Sequence, residues 1–317
     1  MNQHVRTFLC SVFIMLLLTG CAKKEDKTVI DETKPEKTSG SVTVDGIEFH
    51  YYIEGAGKPL LVVGDALPPA RATSDELRKH FMFVVMDSRM NIPSERQTAI
   101  ENITMETLVD DIEAVRTELN LDDVCVLGHS INGILALEYA RKYPEHVSFV
   151  IMHGTPPYWG DRAINAQNEY WEAEASHERK EIYKQNWEDV TEDSMSKLDP
   201  SEAMIQWYIL ETPRAWHDPT YDCSWILKDV YWNTEFWDQL FDVIMVDYDL
   251  ARGGTVETPV FLAIGKSDYV VPYYLWDDER EKLPNLSYNL FEKSGHYPML
   301  EEQELFDKKL LEWISSH

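Results

Sequence analysis

The chain has 317 residues, 44% of them hydrophobic, enough for one large core or for a core domain carrying an inserted second unit. A formal net charge of −27 excludes nucleic-acid binding, which runs on basic patches, and favours neutral or cationic ligands at encounter. Cysteines stand at 10, 21, 125 and 223 with no zinc-like Cys/His spacing, so neither a metal nor another cofactor is called for.

Residues 1–20 read as an export signal. Arg6 gives a basic start, and Phe8 to Leu18 is an apolar run too short to span a bilayer comfortably. It ends in Leu18-Thr19-Gly20-Cys21, which resembles a bacterial lipoprotein signal. That resemblance implies acylation of Cys21 and anchorage to the outer face of a bacterial membrane. Residues 21–40 read as a flexible linker; from 22 on it carries five basic and five acidic residues. The acidity of the chain therefore belongs to residues 41–317.

Beyond Ser41 the pattern becomes regular. Val42 to Ile53 is a hairpin signal around Asp45-Gly46, a dipeptide suited to a type I′ turn. Leu60–Val63 and Phe81–Met86 read as buried strands, with a helix expected over Asp75–His80. Thr104–Leu119 has apolar residues at helical spacing. Val124–Leu127 is a short strand, Gly128-His129-Ser130 a sharp turn, and Ile134–Tyr143 a helix stopped by Pro144. Val147–Met152 is the next strand. Such alternation implies a mainly parallel sheet flanked by helices.

Alternation then breaks. Residues 155–255 hold eight of the ten tryptophans and show no run of buried strands, as an inserted helical cap lining a substrate pocket would read. Strands return at Pro259–Ile264 and Leu286–Phe291, and Glu301–Ile314 closes the chain as an amphipathic helix. The expected organisation is a core of 41–154 and 256–317 with a cap of 155–255. Cys125 and Cys223 lie in distant segments, and no disulfide between them is expected.

Three chemical groups stand at the ends of three strands. Ser130 sits at the apex of a strand–turn–helix, Asp268 follows Pro259–Ile264, and His296 follows Leu286–Phe291. A serine hydroxyl is a weak nucleophile until a base takes its proton, and imidazole titrates near neutrality. Alone, Asp268 could cap a helix, His296 could be a surface histidine, and His129 and His153 suit structural use. The three together, in the order Ser…Asp…His, resemble the α/β-hydrolase superfamily, especially its proline-iminopeptidase-like and esterase-like branches.

The resemblance covers residues 42–154 and 258–316. It also rests on Gly265-Lys266-Ser267-Asp268 as the acid loop, Ser294-Gly295-His296 as the histidine loop, and Asp87-Ser88-Arg89 as the start of an Asp-x-Arg turn. It implies an α/β-hydrolase fold with Ser130 as nucleophile, His296 as base and Asp268 as the acid that orients it. The oxyanion donors would be the backbone N–H groups of Ile131 and Asp65.

The chain departs from the family pattern at several places. Val63-Gly64 stands where His-Gly is usual, Asn132 where the elbow wants a small residue, and Met90 and Ile92 where the arginine turn has glycines. Asp65 would place a carboxylate close to a developing oxyanion. The expected activity is hydrolysis of an ester or a peptide/amide bond in a small molecule or short peptide, through an acyl-enzyme. Glu211 and Asp222 are candidates to hold a substrate amine. The alternative is a weakly catalytic or non-catalytic ligand-binding lipoprotein. A lyase or haloperoxidase would use the same triad, whereas a dehalogenase would need an aspartate at 130.

Overall fold

The computed structural model describes residues 37–317. Cys21 and the expected export signal lie outside the described residues. The polypeptide begins with a hairpin, β1 (Thr38–Val44) and β2 (Ile47–Gly55). Its turn has Asp45 at φ 51° and Gly46 at φ 82°, the paired positive angles of a type I′ bend. The linker expected to run to residue 40 ends sooner, because Thr38, Ser39 and Gly40 pair with Ile53, Tyr52 and Tyr51. The length of β2 explains this: it offers its neighbour a partner for every residue back to 38.

The sheet has eight strands in the order β1-β2-β4-β3-β5-β6-β7-β8. The further strands are β3 (Lys58–Val62), β4 (Phe81–Met86), β5 (Val124–His129), β6 (Val147–His153), β7 (Val260–Gly265) and β8 (Leu286–Phe291). Only the first two pairings are antiparallel. Every residue of β5 and of β7 is buried, as central strands covered on both faces must be.

On one face lie α1 (Leu67–Ala72) and the C-terminal helices, packed on Val62, Phe83, Cys125 and Phe261. On the other lie α2 (Met105–Glu118) and α3 (Ile131–Lys142), packed on Leu61, Val84, Val126 and Val150. Thr104 caps α2 by accepting the Thr107 N–H, while the Thr107 side chain accepts the Thr104 N–H.

Several elements differ from the sequence expectation. The helix expected over Asp75–His80 is a single 3₁₀ turn, Leu77–Lys79, held by the Leu77 N–H on Ser74 Oγ. Helix α1 arises instead from Leu67-Pro68-Pro69, since proline suits a first helical turn, where no N–H is needed. Helix α3 starts at Ile131 rather than Ile134, directly behind Ser130.

Between β6 and β7 the chain forms α4 (Asp161–Glu174), α5 (His177–Trp187), α6 (Glu192–Met195), α7 (Pro200–Leu210), α8 (Thr212–Ala215) and α9 (Thr234–Gln239). A π-helical turn, Leu240–Ile244, follows α9. After β8, α10 (Pro298–Glu301) and α11 (Gln303–Ile314) replace the single final helix expected from Glu301. Glu302, at φ −123° and ψ 52°, breaks the helical path between them.

Candidate active site

Ser130 is held by strain. Its φ of 55° and ψ of −132° lie where a side chain is seldom tolerated, and its N–H is fixed on the His153 carbonyl at 2.9 Å. The helix that follows fixes the other side, because the Gly133 N–H donates to the Ser130 carbonyl at 3.0 Å.

Asn132 fits the elbow because of what faces it. A Cβ on Gly64 (φ 78°) would lie 2.1 Å from Asn132 Cγ, so the absence of a side chain at 64 makes room for the amide. The elbow's backbone is equally close: a Cβ on Gly128 would lie 2.2 Å from the Asn132 carbonyl oxygen. Asn132, the departure at the elbow, is thus accommodated by Gly64, the glycine that the family pattern also has after β3.

His296 and Asp268 meet. The Nδ1–H of His296 donates to Asp268 Oδ2 at 2.7 Å, with Asp268 fully buried and His296 nearly so. Asp268 Oδ1 accepts the N–H groups of Val270 (2.9 Å) and Val271 (2.7 Å). The aspartate therefore caps its own loop and holds the imidazole at once; the two uses do not compete.

Ser130 and His296 both line one cavity of about 460 Å³, formed largely by the insertion between β6 and β7. Among the described residues, neither the Ile131 N–H nor the Asp65 N–H has a protein acceptor. Neither group is committed to a protein partner among the described residues, and neither residue is among those lining the cavity. Glu211 lines the same cavity, whereas Asp222 does not and instead accepts the Ser224 N–H on the surface.

The Asp65 side chain is not part of the cavity lining. Its Oδ1 is sealed from solvent without a hydrogen-bond partner, and the Trp232 indole Nε1 is likewise unpartnered. Burial pushes the Asp65 carboxyl up to about 6, with Trp232, Asn91 and the Arg71 cation opposing the shift. A raised carboxyl pKa means the folded state keeps a proton that the unfolded chain releases. Stability therefore falls as pH rises from about 4 to about 6, and the loss persists above that. Asp65→Asn removes the ionisable group. Urea unfolding should show a gain of about 1–3 kcal/mol at pH 7.5, shrinking towards zero near pH 4.

The other two histidines near the elbow are structural in their surroundings. His129 stacks on His153 and Tyr297, with centroids 4.5 Å and 4.0 Å away, and its Nε2 donates to the His296 carbonyl at 3.2 Å. Burial and the neighbouring His153 and His296 hold its pKa well below the usual histidine value. His153 is fully buried and, for the same reason, is pushed down to about 3. Arg89 of the expected arginine turn forms a buried bidentate pair with Asp111, at 2.6 and 2.9 Å.

One residue escaped the sequence reading. Glu301, in α10, accepts the N–H groups of His217 (2.7 Å), Gly295 (2.8 Å) and Tyr297 (3.3 Å). It thereby grips the loop on both sides of His296 and ties it to the insertion. Its one sequence signal is a glutamate in the first turn after the histidine loop, where Pro298 opens a helix. Burial raises its carboxyl to about 7 against the pull of those three donors. Glu301→Gln should lower kcat/KM between about 10- and 100-fold above pH 8, where the native group is charged. The gap should narrow below pH 7, where the native carboxyl is itself protonated, and pH profiles of both proteins read this directly.

The sheet order, the strand–Ser–helix elbow and an Asp–His pair beyond the later strands define an α/β-hydrolase-type site. Residues 66–303 match the family model described as alpha/beta hydrolase fold. The AB hydrolase superfamily protein YclE of Bacillus subtilis (strain 168) is 33% identical over 272 residues, covering 85% of this chain and 96% of that one. The chain belongs to the alpha/beta hydrolase family.

A proline iminopeptidase of Clostridioides difficile (strain 630) is 25% identical over 240 residues, covering 68% of this chain and 74% of that one. Among solved structures, the proline iminopeptidase of Mycobacterium smegmatis aligns with a TM-score of 0.63 at 16% identity. That alignment covers 88% of this chain and 98% of that one, and it shows the shared fold.

Proposed function

We propose that the protein is a serine hydrolase that cleaves an ester or a peptide/amide bond through an acyl-enzyme. The observation that carries this reading is the buried Asp268–His296 pair opening onto the cavity that Ser130 also lines. Asp268 holds Nδ1 of His296 protonated, which leaves Nε2 as the acceptor for the Ser130 proton. The hydroxyl oxygen then attacks the carbonyl carbon of the bond to be cleaved. The charge that develops on the carbonyl oxygen is met by the N–H groups of Ile131 and Asp65. His296 returns the proton to the leaving group, and water repeats the sequence to release the acid.

A fluorophosphonate probe tests the reading without a known substrate. One equivalent should label Ser130, found by peptide mass spectrometry, and block hydrolysis of short acyl esters or amino-acid arylamides. Absence of labelling in folded protein would favour a ligand-binding role without turnover.

The Leu18-Thr19-Gly20-Cys21 stretch supports a location outside the cell for the enzyme. We propose that lipid on Cys21 anchors it to the outer face of a bacterial membrane. Cys21→Ser should release the protein from the membrane fraction and abolish incorporation of a labelled fatty acid.

A further inference from the structure

We propose that the cavity beside Ser130 selects substrates whose buried group ends in a bulky organic cation, a tertiary or quaternary ammonium. The inference deepens the hydrolase reading and rests on it for turnover, though not for binding.

Two independent features of the cavity support it. The first is its wall. The Trp159 and Phe241 rings lie 5.2 Å apart, Phe241 and Trp237 lie 4.7 Å apart, and Tyr208 stands at 84° to Trp237 with centroids 6.2 Å apart. All four line the cavity. Ring faces carry negative electrostatic potential, and a methylated ammonium is the cation whose weak hydration lets it leave water for such a wall.

The second is charge. The carboxylates lining the cavity are Asp161, Glu211 and Asp242, and no lysine or arginine lines it. Among the described residues, none of the three has a cationic partner at salt-bridge distance. Glu211 is only 9% exposed. Tyr183 donates to its Oε1 at 2.8 Å, while no hydrogen bond to its Oε2 is formed among the described residues. Arg214 lies nearby, but its guanidinium rests over the Trp171 ring at 5.6 Å and reaches Asn168. Burial raises the Glu211 carboxyl against the pull of Tyr183 and of the nearby Arg214 charge, and with no cation in salt-bridge contact a ligand cation would offset the remaining cost of its charge. Asp161 and Asp242, both exposed, add attraction that salt screens.

The test uses ester pairs identical except for a terminal trimethylammonium or tert-butyl group, carried on the alcohol in one pair and on the acyl chain in the other. The two termini have nearly the same shape, and neither has an N–H. A preference between them therefore reads charge and ring faces, not hydrogen bonding to Glu211. In at least one pair, kcat/KM should favour the cation roughly tenfold or more, and 0.5 M salt should reduce the ratio. The double variant Glu211→Gln, Asp242→Asn should bring the ratio towards one, and a carboxylate-terminated ester should be the poorest substrate.

Tetraethylammonium should also quench tryptophan fluorescence in the full-length protein, and Trp237→Leu should weaken that binding. Equal kcat/KM within both pairs would overturn the proposal while leaving the hydrolase intact. So would a preference confined to primary amines. If no ester is cleaved and no probe attaches to Ser130, the hydrolase reading fails. Tetraethylammonium binding then decides the cation site alone, and no quenching up to about 10 mM overturns it.

Discussion

Ser130→Ala should lower kcat for acyl-ester hydrolysis by about 10⁴- to 10⁶-fold, with the fold intact. The reason is that the hydroxyl is the only side-chain oxygen of the Gly128-His129-Ser130 turn, and the φ of 55° that presents it is fixed by the backbone rather than by the hydroxyl. The Ser130 N–H stays bonded to the His153 carbonyl in the variant, and Gly133 still bonds the carbonyl of residue 130. Unfolding free energy should therefore change by less than about 1 kcal/mol. Residual activity would come from the N–H groups of Ile131 and Asp65, which the substitution does not touch. Steady-state kinetics, with circular dichroism as the folding control, check the result. Activity within tenfold of the native enzyme would move the nucleophile elsewhere and remove the acyl-enzyme step.

Much of this architecture was legible because its signals are local. Strand β8 has the bounds that its apolar run suggests, and α2 lies within one residue of its periodic pattern. The order of Ser130, Asp268 and His296 could be read because each follows a strand of the parallel part of the sheet, buried in β5 and β7 and half-buried in β8, and a parallel sheet brings such ends together. What the sequence did not carry was contact at a distance. Asn132 looked like an intruder at the elbow until Gly64, from a different strand end, was seen to leave room for its side chain. Glu301 looked like the start of a surface helix, yet three backbone donors from two segments converge on it. Asp65 posed the reverse problem: sequence order placed its carboxylate beside the oxyanion, but the side chain is absent from the cavity lining.

Asp268→Asn should lower kcat by about 10⁴-fold, and the loss comes from the tautomer of His296 rather than from misplacement of the ring. The carboxylate has two occupied oxygens. Val270 and Val271 donate to Oδ1 at 2.9 and 2.7 Å, and His296 Nδ1–H donates to Oδ2 at 2.7 Å. An asparagine must put its one oxygen somewhere. Two backbone donors in a fixed loop outweigh one side chain that can change tautomer, so the amide oxygen stays with Val270 and Val271. The Nδ2 group then faces His296. Facing a donor, the imidazole shifts its proton to Nε2 and accepts the amide at Nδ1. A protonated Nε2 cannot take the Ser130 proton, so attack on the substrate carbonyl stalls although every heavy atom keeps its place. Nitrogen-15 spectra of histidine-labelled protein should show His296 protonated at Nε2 in the variant and at Nδ1 in the native enzyme near pH 8. KM should change little, since Asp268 is absent from the cavity lining. A kcat within tenfold of native, or a native tautomer in the variant, would mean that Asp268 only caps its loop and that His296 is oriented by the Glu301 grip on its flanking amides.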